Sequence, residues 1–308
     1  MTYFLRLGRT EPEQLPEALT DPRLASYKVV WANEDQREAL LYLPAASTRG
    51  VSLKWLDGDT LIRLHTLASP ADWLIGIRLA TVLAGLTGRD VSLEPEGLAL
   101  DAADFARRCD AEWLAPRCHL GTELLQQLVL GKGETASVQG WSDVFHIGPW
   151  LFSELGIDGG TESELAYVLL IKRMRSHQQL AADADVHRPT GMVLAVPTEN
   201  EEPDIELCCA SLPPQTRIWV DSTFLDCLGL WPQSRQIQGL DPLWFPSGRL
   251  PELLGAHCRR LDEQVWLVQD LTDEEISMAA EQVLAVNAQT DLPEDYRRVR
   301  DFFAARVV

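Results

Sequence analysis

Six histidines, six cysteines and a surplus of carboxylates are the side chains of this chain that could do chemistry. The histidines are His65, His119, His146, His177, His187 and His257, and none stands in an HxxxH, HExxH or HxH spacing. His177 and His187 flank Asp183 and Asp185. A metal held there would require the segment to fold back on itself, and a solvated loop is the simpler reading. The cysteines (Cys109, Cys118, Cys208, Cys209, Cys227 and Cys258) form no CxxC pair and no zinc framework. Free buried thiols are expected. Cys208 and Cys209 would point to opposite faces of a strand, which makes them poor joint ligands. No metal and no cofactor are expected.

Nucleophilic chemistry finds little support. A serine hydrolase places its serine on a sharp strand-to-helix turn inside G-x-S-x-G, whereas Ser247 sits in a plain Pro-Ser-Gly turn. Cys258 follows His257, but neighbours on a helix point about 100° apart and would not pair. The stretch Gly131-Lys-Gly133 lacks the upstream glycine and following hydroxyl of a phosphate loop, since Glu134 comes next. Asp221 and Asp226 bracket Ser222–Leu225 behind an expected strand, where an α/β enzyme would place its groups. They carry the alternative expectation, a hydrolase with a carboxylate-based site in the C-terminal half.

The charge is more telling than any motif. The 308 residues hold 27 Lys and Arg against 46 Asp and Glu, a net charge of −19. Residues 151–308 carry 26 of those acids and 13 bases. Such a field repels phosphates, so a nucleic-acid partner is not expected. The arginine-over-lysine bias reads as bacterial. Neither a signal peptide nor a membrane span is apparent, and a cytoplasmic location is expected.

The elements that would position these groups follow from periodicity. Thr2–Leu7, Tyr27–Ala32, Glu38–Leu43, Val51–Leu56 and Leu61–Leu67 read as strands, with hairpin turns at Asn33–Arg37 and Asp57–Asp59. Ser69-Pro-Ala-Asp72 starts a helix whose apolar residues recur at Trp73, Ile77, Ala80, Leu83 and Ala84, and Thr87-Gly88 ends it. One helix is expected from Asp101 to Trp113, another from Gly121 to Leu130. Thr161–Glu164 and Thr272–Glu275 read as capping boxes. Met192–Val196 and Ile205–Ala210 form a hairpin around an acidic tip, while Asp221–Pro251 reads as a long ordered loop and Pro251–Leu261 as helix.

The expected fold class is therefore α+β, with small antiparallel sheets packed with amphipathic helices in mixed order. An N-terminal domain (1–135) and an acidic C-terminal domain (160–308) meet at an expected boundary near 136–160, unless the chain is one compact unit. The function expected is a non-enzymatic acidic interaction module with a basic protein partner and no membrane or nucleic acid. Glu199, Glu201, Glu202 and Asp204 at the hairpin tip would steer that partner, and Trp231 and Trp244 would anchor it. In being acidic and motif-poor, the chain is similar in character to bacterial toxin-neutralising (immunity) proteins.

Overall fold

The computed structural model describes residues 2–94, 96–119, 121–196 and 205–304. The fold is α+β, and the chain divides into two compact units, Met1–Ala181 and Ala182–Val308.

The first unit runs β1 (Thr2–Gly8), α1 (Gln14–Leu19), β2 (Lys28–Trp31), β3 (Glu38–Tyr42), β4 (Val51–Leu56), β5 (Asp59–His65), α2 (Pro70–Thr87), β6 (Val91–Glu94), β7 (Leu98–Leu100), α3 (Ala102–Arg108), α4 (Ala111–Cys118), α5 (Thr122–Gln126), β8 (Ala136–Gln139), β9 (Val144–Ile147), α6 (Pro149–Leu155) and α7 (Ser163–Ala181). The first seven strands form one sheet in the order β2-β3-β4-β5-β1-β6-β7. Every neighbouring pair in it is antiparallel. It is larger than its hairpin signals suggest, because β1 inserts between β5 and β6 through long-range pairing that leaves no turn signature. The turn at Asp57-Gly58 has positive φ at both residues, the twist a tight hairpin requires.

Helix α2 covers the sheet, burying Trp73, Ile77, Leu79, Ala80 and Leu83 in one core with Leu5, Leu7, Leu53, Ile62 and Leu64. It begins with a reciprocal capping box. Asp72 N–H donates to Ser69 Oγ (3.2 Å), and Ser69 N–H donates to Asp72 Oδ2 (2.8 Å). Pro70 takes the first turn and left-handed Gly88 closes the helix.

Several expectations are corrected. The helix expected over Asp101–Trp113 is two helices, because Asp110 accepts the Trp113 amide (2.9 Å) and starts a second one. Thr161 makes hydrogen bonds with Asp158, and α7 begins at Ser163. Residues 136–160 carry β8, β9 and α6 within the first unit, with Phe145, Ile147, Leu151 and Phe152 in its core. The first unit ends with α7.

The second unit runs β10 (Val186–His187), β11 (Met192–Val196), β12 (Ile205–Leu212), β13 (Arg217–Asp221), β14 (Cys227–Leu230), α8 (Gln233–Ile237), β15 (Leu243–Pro246), α9 (Leu250–Leu254), β16 (Cys258–Arg260), β17 (Val265–Val268), α10 (Asp273–Asn287) and α11 (Glu294–Ala304). Two four-stranded sheets result, β10-β13-β17-β16 and β11-β12-β14-β15, each with one parallel pair. The stretch expected as a long loop thus holds two strands and a short helix. Pro251–Leu261 is α-helical only to Leu254: Gly255 at φ +49° ends that helix, a 3-10 turn follows over Gly255–His257, and β16 begins at Cys258. The Thr272/Glu275 capping box starts α10 as expected. No described helix is long and apolar enough to cross a membrane.

Candidate interaction surface

Strand register in the second unit creates a groove. In the β11-β12-β14-β15 sheet, Met192 is paired with Cys209, Cys209 with Cys227, Ser211 with Gly229, and Gly229 with Trp244. These residues share one face, because side chains alternate along a strand. The opposite face sends Ala210, Leu212, Leu228, Leu230 and Phe245 into the main core of the unit. On the first face, α11 covers one end: Val299 and Phe302 pack with Leu207, Cys209 and Cys227. At the other end stand the smallest residues, Ser211 and Gly229. There the sheet is left open as a groove of about 720 Å³ lined by Met192, Leu194, Trp231, Trp244, Val299 and Phe303 among others.

Both tryptophans singled out from sequence line this groove. Trp244 lies over Gly229, where an added Cβ would stand 2.9 Å from the indole Cζ3. Its other side stacks on Phe303, with ring centroids 4.9 Å apart and planes 4° apart. Trp244 is thus a wall set between sheet and helix. Trp231 is held differently. Its indole N–H donates to the Leu240 carbonyl (3.0 Å), and Gln236 donates to its own carbonyl (2.6 Å). The 231–240 turn therefore fixes the ring while leaving the residue 39% exposed. Met192 (55%) across the groove and Ile237 (79%) on the same turn are also exposed. Exposed apolar side chains at and beside a groove are a feature that binding surfaces share.

Helix α11 is tied at its start. Arg249 donates from Nε to Asp295 Oδ2 (2.7 Å) and from Nη2 to Asp295 Oδ1 (3.2 Å), a two-pronged pair. The guanidinium holds the Asp295 carboxyl below the usual carboxylate range. Polar residues at the groove are Ser211, Arg235, Asp241, Asn287 and Arg300. Arg300 pairs with Asp301 (2.7 Å), and Arg235 donates from Nε to the Asp241 carbonyl (2.9 Å).

The remaining candidates are not brought there. Glu199, Glu201, Glu202 and Asp204 lie outside the described residues, though β11 and β12 pair on either side of them as expected. Asp221 accepts the amide (2.8 Å) and hydroxyl (2.6 Å) of Thr223, a local turn. Asp226 accepts the Cys208 amide (2.9 Å). Neither carboxylate lines the groove. His257 faces Glu275 (3.3 Å) instead of Cys258, whose thiol burial pushes up to about 12. Thiolate chemistry needs the opposite shift. His177 is buried in α7 of the first unit and His187 is exposed in the second. Among the described residues, no three His, Cys, Asp or Glu side chains gather as metal ligands.

The sequence carried no direct signal for the Ser211 and Gly229 floor or for Phe303, whose roles depend on register. No protein-family model, curated protein or solved structure matches the chain.

Proposed function

We propose that this chain is a non-enzymatic, acidic protein-interaction module of the toxin-neutralising or escort kind, which receives a basic protein partner inside the cell. The observation that carries the reading is that Trp231 and Trp244 line one apolar groove, one ring held by a turn and the other set between sheet and helix. Indoles held in place offer large contact area with little ordering cost, which is what interface anchors require. A net charge of −19 supports a cationic partner, since complementary fields raise encounter rates. The groove takes apolar side chains of the partner, and the acidic surface steers it.

Capture of partners from cell extract by the immobilised chain, at low and high salt and alongside W231A, tests this. A basic protein that is retained at low salt, released at high salt and held at least about tenfold more weakly by W231A is expected. Retention indifferent to both salt and Trp231 overturns the proposal.

A further inference from the structure

A second recess lies in the first unit, and its chemistry is the reverse of the chain's overall charge. It encloses about 280 Å³ and is lined by Thr2, Arg49, Arg63, His65, Leu124 and Val138 among others. Arg63 and His65 lie two apart on β5, so both stand on the sheet face away from α2. Arg49 arrives from the loop before β4. Its guanidinium is fixed by two backbone carbonyls: Nε donates to Gln139 (2.6 Å) and Nη1 to Thr66 (2.9 Å). Neither donor is spent on a carboxylate. Among the described residues, no acidic oxygen lies within 4.0 Å of the Arg49 or Arg63 guanidinium, in a chain with 46 acids.

Such an arrangement is costly for the protein alone. Burial and the Arg63 charge lower the Arg49 guanidinium to about 10, although Asp72 acts on it in the opposite direction. Asp72 does not neutralise it at contact, since its oxygens accept from Thr48, Arg49, Gly50 and Ser69 amides. Burial, then the Arg49 and Arg63 charges, lower the His65 imidazole to about 4. An oxyanion placed between the guanidiniums removes the repulsion and adds charge-assisted hydrogen bonds.

One wall of the recess is apolar. Leu124, 60% exposed, stands with Leu125 and Val138 beside the cationic groups. We propose that this recess is a binding site for a small organic oxyanion, a carboxylate or phosphate carried on a short apolar group. The guanidiniums of Arg49 and Arg63 hold the oxyanion, and the leucines and Val138 cover the apolar stem. The volume admits only a few heavy atoms beyond the oxyanion.

The test is an NMR titration of the full chain, following the His65 ring with inorganic phosphate, butanoate or chloride at matched ionic strength. Saturable binding of phosphate or butanoate, with a rise of the His65 pKa that chloride does not produce, is expected. Butanoate binding more tightly than phosphate identifies a carboxylate ligand, and the reverse identifies a phosphate ester. R63Q, at an exposed position, should keep the fold and weaken binding by about tenfold. Equal responses to all three salts, or affinity unchanged in R63Q, overturn the proposal.

Discussion

Gly229 and Trp244 face one another across the β14–β15 pair, with no room for a methyl group between them. The Pro242 side chain closes in at the same 2.9 Å. G229A must therefore move the indole or the strand. Overpacking of this kind costs about 1–3 kcal/mol. Urea unfolding should show that loss, and displacement of Trp244 from Phe303 should shift tryptophan emission in the folded protein.

Trp231 and Trp244 should separate when mutated. Trp231 is partly exposed and hydrogen-bonded only to its own turn, so W231A is expected to change stability by less than about 1 kcal/mol while weakening partner binding. Trp244 packs on Phe303 and on the cluster under α11. W244A is therefore expected to cost about 3 kcal/mol or more of stability. Paired thermal melts and affinity measurements distinguish the two.

Asp72 is fully buried and serves two elements at once. It caps α2 and accepts the Thr48, Arg49 and Gly50 amides. D72A leaves several buried donors unsatisfied, each costing about 1–3 kcal/mol. Loss of at least about 3 kcal/mol in urea unfolding is expected, with D72N milder because its oxygen can still accept.

The Arg249–Asp295 pair makes the seating of α11 sensitive to acid. The Asp295 carboxyl is depressed in the folded chain, so its contribution is present above the unfolded carboxylate value of about 3.9. That contribution is lost as pH falls through the lower folded value. Both groups are partly exposed, so the effect is modest. Tryptophan emission should report loosening around Trp244 below pH ~4, and R249A should show it already at neutral pH.

His65 works in the same direction at higher pH. Its folded value of about 4 lies below the ordinary imidazole value of about 6.5. Between the two, the unfolded chain binds more protons, so stability falls as pH drops from about 6.5 to 4. H65Q should flatten that part of the stability-versus-pH curve.

Locally signalled structure was legible in the sequence. The α2 and α10 starts lie within four residues of Ser69 and Thr272, and the β4–β5 turn within Asp57-Gly58. What depends on distant pairing was not. Strands β14 and β15 are four residues each and include Gly229 and Pro246, too short and too broken for an alternating pattern. The parallel β12–β14 pairing that brings Ser211 beside Gly229 leaves no local mark. Trp231 and Trp244 could be singled out as indoles in a turn-rich stretch, but nothing in the sequence placed Phe303 against one of them. Arg63 and His65 alternate on β5, yet Arg49 joins them only because the loop before β4 turns back at Gly50.

The carboxylate of Asp72 accepts the Ser69 amide at the start of α2 and also grips the peptide that carries Arg49. Fraying of that helix end and collapse of the cationic recess are then one excursion. Amide protons of Gly50 and Trp73 should exchange with solvent at matched rates, and an occupant of the recess should slow both together.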